Sequence, residues 1–274
     1  MPTFEGTTFA SFFKRIFQVS QTSNTGVDAT TRAVQTGDGA NTSLSISDDV
    51  LQVQPQNDNT TGAFLVKNQG GSNILAVDTT NSKVLTGASQ VAANTQYANF
   101  GISSSGSAAA FGNDIHYAIP FGGMQYGSAT VANWALGSST SSSFNDTNPA
   151  TSLTISDSAM DIIHTYWYIM DDITIDAVKW FHGADTATGE DTAAHLMSYT
   201  VDTGNGSTGG DLSSGRVVAD GANITNAGYE QAYYQSMTIQ SADVDAGKVI
   251  IFTFASDTVS SDYTISANIK YHIR

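Results

Sequence analysis

Five histidines, His116, His164, His182, His195 and His272, are the residues of this 274-residue chain best suited to proton transfer or metal binding near neutral pH. Their spacing argues against both roles. None forms an H-E-x-x-H pair or any other close ligand spacing. Most fall in strand-like runs beside aromatics, where a hydrogen-bonded structural histidine is expected. His182 and His195 come nearest to a site, since they could approach across strands with Asp185, Glu190 and Asp191 between them. The loop DTATGED (185–191) offers carboxylates of the kind Ca²⁺ prefers, but without the ligand period of an EF-hand, and a solvated loop is expected. Asp202-Thr203-Gly204 matches the aspartic-protease signature. That chemistry needs two carboxylates sharing a proton, and here no second copy exists and Asn205 follows in place of Ser or Thr. GNGSTGGD (204–211) lacks the Lys-Ser/Thr that completes a P-loop. The adjacent Asp171 and Asp172 have nothing to set their geometry as a hydrolase pair. The expectation is no catalytic residue, no cofactor, no metal site and no enzymatic activity.

Binding chemistry fares better. Sugar-binding β proteins present aromatic faces beside Asp and Asn, and Trp134, Trp167, Trp180, Tyr166, Tyr168, Tyr229, Tyr233 and Tyr234 are candidates. Strand alternation places Tyr166 and Tyr168 on one face and Trp167 on the other, so only a subset can meet a ligand. Tyr233 and Tyr234, beside a Gly- and Asn-rich loop, are the preferred exposed pair for a host-surface glycan. Core and subunit-interface packing accounts for the remaining aromatics.

The elements that must position these residues are set by composition. Charged residues make up only 13% of the chain, so Ser, Thr, Asn, Gln and Gly must carry its polar surface, as in β-rich extracellular or virion proteins. A net charge of −15 argues against nucleic-acid binding and against docking on an anionic membrane. With no cysteine there is no disulfide framework, and stability must come from elsewhere, with oligomerisation the natural source. The start reads as an arm and not a signal peptide, because Glu5 precedes the basic pair and Lys14 and Arg15 interrupt the apolar run. No apolar window is long enough to span a membrane.

Four segments follow. Residues 1–22 form an N-terminal anchoring arm, in which Phe9, Phe12, Phe13, Ile16 and Phe17 recur at spacings that put them on one face of a short helix, which either packs on its own protein or inserts into a partner. Residues 23–90 read as a thin β-stem. SLSIS (43–47) and VLQVQ (50–54) alternate, and FLVKNQGGSNILAVDTTNSKVL (64–85) holds three short runs split by turn residues. Such a ribbon is too thin to make a core, and winding three copies about one axis would bury Leu65, Ile74, Val77 and Val84. Residues 91–110 form a linker with an edge strand around Tyr97 to Ile102. Residues 111–274 are a knob of recurrent strands: 116–121, 131–136, 151–156, 161–169, 174–183, 193–201, 233–239, 248–254 and 262–273, with a short helical segment near 226–234. The fold class is all-β, with a jelly-roll-like sandwich as the knob.

The stretches NTGVDATTRAVQTGDGANTSLSISDDVLQVQP (24–55) and FLVKNQGGSNILAVDTTNSKVLTGASQVAANTQYANFG (64–101) resemble the N-terminal part of virion proteins of marine tailed bacteriophages. ITIDAVKWFHGADTATGEDTAAHLMSYTVD (173–202) is similar to their C-terminal knob. The resemblance implies a homotrimeric short fibre, spike or capsid decoration protein, exposed on the particle and bound to capsid, neck or tail proteins. It brings no catalytic residues. A receptor-binding tail fibre that recognises a host glycan is the alternative.

Overall fold

The computed structural model of the protein describes residues 17–20, 26–105, 116–127, 165–184, 189–201, 212–228, 231–257 and 263–274. The chain is all-β and divides into two compact units, Met1–Asn94 and Thr95–Arg274. No α-helix occurs among the described residues.

The first unit holds two four-stranded antiparallel meanders. One comprises β1 (Phe17–Val19), β2 (Arg32–Thr36), β3 (Asn41–Ile46) and β4 (Leu51–Val53), in chain order. The other comprises β5 (Phe64–Lys67), β6 (Asn73–Asp78), β7 (Lys83–Thr86) and β8 (Val91–Ala92), also in chain order. The turns are built as their residues dictate. Gly39, Gly71 and Gly87 take positive φ, and the Asn68 side-chain oxygen accepts the Ser72 amide at 2.9 Å to close the β5–β6 hairpin. Asp28 caps its own bend by accepting Arg32 Nη2 at 2.8 Å and the Thr30 amide at 2.9 Å. Arg32 holds the Asp28 carboxyl down to about 2.

Phe17 lies in β1, opposite Thr36, and so is extended where the phenylalanine spacing predicts helix. Phe9, Phe12, Phe13 and Ile16 lie outside the described residues. Burial in this unit is slight. Among its described residues only Ala76 and Asp78 are buried, whereas Leu51 is 70% exposed and Ile74 51%. The strands pair along their backbones, with one register shift in β2–β3 and one in β5–β6, yet the described residues of one copy have almost no interior.

The second unit is built from two sheets. Its strands are β9 (Thr95–Ser105), β10 (Tyr117–Ile119), β11 (Met124–Gly127), β12 (Trp167–Tyr168), β13 (Ile173–Ala184), β14 (Asp191–Val201), β15 (Leu212–Asp220), β16 (Ile224–Thr225), β17 (Gln231–Ser236), β18 (Thr238–Ile239), β19 (Asp243–Val244), β20 (Lys248–Ser256) and β21 (Tyr263–Ile273). One sheet runs β10-β20-β14-β15-β18, with β12 on β20 and β16 on β14. The other runs β11-β9-β21-β13-β17, with β19 on β13. All pairs are antiparallel except β11 with β9. Alternation decides which side chains meet. Phe252 and Phe254 of the first sheet pack against Phe100 and Trp180 of the second, giving one shared core that also takes in Leu196, Ile250, Ile265 and Ile269.

Two expectations change here. The edge strand expected around Tyr97 to Ile102 is present but longer, β9 from Thr95 to Ser105, and it lies inside its sheet, hydrogen-bonded to β21 from Thr95 to Ser103 and joined by β11 from Ile102 onward. Off its core face the strand carries the exposed Asn99 and a Gly101 covered by Gly123, neither of them apolar, which is why the segment reads as linker. The helical segment expected near 226–234 is instead β17, whose Tyr233 and Tyr234 pair with His182 and Phe181. The expected strands 131–136 and 151–156 lie outside the described residues.

Candidate functional site

The described histidines are engaged in packing, His116 beside His195 and the other two apart from them. His182 (β13) is buried between the rings of Trp180, at 4.9 Å, and Tyr233, at 5.0 Å, with Nε2 3.3 Å from Asn226 Oδ1. His195 (β14) sits in the other sheet, with Nδ1 2.9 Å from Asp220 Oδ1 and its ring 5.1 Å from that of His116. His272 Nδ1 lies 3.0 Å from Asp176. His182 and His195 therefore do not converge, because alternation aims His182 into the shared core and His195 away from it. Burial pushes His116 down to about 3, helped by His195, and His182 down to about 4. Both are neutral at pH 7. His164 lies outside the described residues.

Of the carboxylates of the 185–191 loop, Asp185 lies outside the described residues and the other two are committed. Glu190 is buried and accepts the Ser256 hydroxyl, while Asp191 accepts the Thr225 hydroxyl. Glu190, Ser256, Tyr263, Asn226, Thr192 and His182 cluster as one buried polar group that ties the two sheets together. Spacing alone did not reveal this cluster, because its members come from four strands and two loops. Desolvation raises the Tyr263 phenol above its ordinary range. With every member shielded from solvent, the cluster specifies structure and offers no access to a substrate. Asp172 accepts the Ala246 amide at 2.8 Å, an anchor for the β19–β20 turn. No cluster of three or more metal-ligating side chains exists among the described residues.

The aromatic candidates separate by face. Trp167 and Trp180 are core residues, while Tyr168 is exposed. Tyr233 and Tyr234 point in opposite directions, as neighbours in a strand must. Tyr233 turns toward His182 and its hydroxyl oxygen accepts the Ala227 amide at 2.6 Å. Tyr234 is 62% exposed and stacks on Phe181 at 5.5 Å, with Lys179 Nζ 5.6 Å from the ring centroid. Around that stack runs an outward polar face. Tyr234, Phe181, Ser266 and Gly101 form one cross-strand row, and Ser236, Lys179, Asn268 and Asn99 form the next. Phe181 was not among the sequence candidates, although its position two residues after Lys179 on an alternating strand marks it as outward.

The stem residues occupy both faces of the β5–β8 sheet. Phe64, Val77 and Val84 stand side by side, as do Leu65, Ala76 and Leu85 on the opposite face, where Ile74 also lies. Phe64, Val66, Val84 and Val91 on one face and Leu65 and Ile74 on the other are all exposed in a single chain. The sheet thus presents two different apolar faces. Comparison of the chain with protein-family models and with curated proteins finds no match in either.

Proposed function

We propose that the chain is a non-enzymatic structural protein that works as a homotrimer, with the first unit as the intertwined stem and the second as an outward knob. The observation that carries this reading is the near absence of buried residues among the described residues of the first unit, combined with apolar side chains on both faces of its β5–β8 sheet. Exposed apolar area costs about 25 cal/mol per Å², so an assembly that covers both faces is strongly favoured. A twofold axis joins a face to its own copy and leaves the other face bare. A closed ring of three sets the Phe64, Val66, Val84 face of one copy against the Leu65, Ile74, Leu85 face of the next and leaves neither exposed.

The resemblance to marine tailed-phage proteins supplies the setting: a short fibre, spike or head decoration on the virion, held to other particle proteins by the N-terminal region and ending in a jelly-roll-like knob. Mass measurement in solution tests the assembly. The expected value is three times the 28.7 kDa of one chain, and a stable monomer that keeps all its β-structure would sink the proposal. Peptide mass spectrometry of purified phage particles tests the setting.

A second reading, a knob that binds host glycan, is favoured by the exposed Phe181–Tyr234 stack with Lys179, Asn268 and Asn99 beside it. Sugar rings stack on such platforms while amide side chains hydrogen-bond their hydroxyls. Glycan-array binding abolished by Tyr234→Ala and retained by Tyr168→Ala would support it; binding untouched by Tyr234→Ala would reject this location.

A further inference from the structure

One irregularity stands apart from both readings. Opposite Tyr199, β15 carries an extra residue: Ser198 pairs with Arg216 and Thr200 with Ser213, so Ser214 and Gly215 together face one residue of β14. Ser214 holds φ at +54°, a conformation that is costly for a residue with a side chain. Bulges of this kind re-aim side chains, and here the result is a pocket of about 190 Å³ lined by Ser198, Tyr199, Ser214, Arg216, Asp245 and Lys248.

The register explains the content of the pocket. Ser198, Arg216, Thr200 and Lys248 share the face of their sheet that carries Leu196 and Phe252 into the core. At this end of the sheet the core-facing side turns from apolar to cationic. Two of the ten basic residues in the chain meet there. The Lys248 ammonium donates to Thr200 Oγ1 at 2.6 Å, which uses one of its three protons. Arg216 donates one N–H to the Asp243 carbonyl and keeps the rest of its fork. Neither cation is ion-paired with a carboxylate among the described residues, whereas Asp245 is already bound to Arg274 at 2.8 Å.

We propose that this pocket binds a sugar acid, a hexuronate unit of an acidic glycan, with its carboxylate on Arg216 and Lys248. Arg274 neutralises Asp245, so the two cations of the lining call for an anion, and the acceptors and hydroxyls beside them favour one that also carries O–H donors over bare phosphate or sulfate. The guanidinium fork suits the two oxygens of a carboxylate. Asp245 can only accept hydrogen bonds, and Ser198 and Ser214 can donate or accept, so the ligand must also carry hydroxyls. The inference rests on neither the trimer nor the Phe181–Tyr234 face.

The test uses the full chain and ¹⁵N-detected NMR or calorimetry with three probes: D-glucuronate, D-glucose and inorganic sulfate at matched ionic strength. Glucuronate is expected to bind saturably in the millimolar range, shifting the Ser214 and Lys248 amides, while glucose and sulfate are without effect. Arg216→Gln and Lys248→Gln are each expected to weaken glucuronate binding by about tenfold or more. Absence of glucuronate binding at roughly 50 mM, or sulfate binding as tight as glucuronate, overturns the proposal. So does unchanged binding in both variants. Should a variant fail to fold, the three-probe comparison on the unmodified chain decides by itself.

Discussion

At the scale of single residues, the most consequential groups are the neutral buried histidines. His116 is lowered from 6.5 to about 3 and His182 to about 4, in both cases chiefly by burial. A lowered folded value means that the folded state resists protonation. The stabilisation is complete above the unfolded value near 6.5 and is lost as pH falls toward the folded values. Thermal denaturation at pH 7 and at pH 4.5 should therefore show a marked loss of stability in the second unit. His116→Leu should make that loss smaller, because it removes a group that must be charged in the unfolded chain and neutral in the folded one. An equal loss in both proteins would exclude His116 as a source. The two neighbouring tyrosines give a second contrast. Tyr233→Phe removes the acceptor of the Ala227 amide and should cost roughly 1 kcal/mol, whereas Tyr234→Ala on the open face should stay within about 0.5 kcal/mol. Equal effects in chemical denaturation would contradict the assignment of faces.

At the scale of elements, close approach and pairing set the predictions. A Cβ on Gly221 would lie 3.1 Å from the Ala194 carbonyl, Gln235 Oε1 and Trp180 Nε1. Gly221→Ala should thus disturb the Trp180–Gln235 hydrogen bond and destabilise the second unit by roughly 1–3 kcal/mol, read from the denaturant midpoint. In the first unit, Ile74 and Val84 lie on opposite faces of one sheet, and Ile74→Asp and Val84→Asp should each dissociate the proposed trimer in a sizing experiment. If only one does so, only one face is an interface. The strands themselves were largely legible. Alternation in Tyr263, Ile265, Ala267 and Ile269 maps onto one buried face of β21, and the FLVKN, NILAV and KVL runs are β5, β6 and β7. What escaped was irregular or polar. β15 opens on Leu-Ser-Ser-Gly and carries a bulge that breaks the period, and β9 alternates its core residues Phe100 and Ile102 with Asn99 and Gly101. The candidate site was legible only in part. Tyr234 could be picked out, but its partner Phe181 is distant in sequence, and the Arg216–Lys248 pocket depends on a register shift with no sequence signature.

At the scale of the whole molecule, the two units should differ in the order of their reactions. The second has its own core, so its unfolding should be independent of protein concentration. In the proposed trimer the first takes its interior from other copies, so its transition should move to higher temperature as concentration rises. Calorimetry at two concentrations should resolve one fixed and one mobile transition; two fixed transitions would count against self-association. One further consequence belongs to β20, which is buried along Val249–Ser256 and flanked by β10 and β12 on one edge and β14 on the other. Its window Val249–Ala255 has no charge, no proline and no glycine, the composition that stacks readily into cross-β fibrils. Lys248 and Asp257 stand at its two ends as gatekeepers. Because its partners β10 and β14 lie far upstream in the chain, β20 emerges from the ribosome late and finds its place already built. Refolding from denaturant offers no such order, and the yield of soluble protein should fall steeply as the refolding concentration rises.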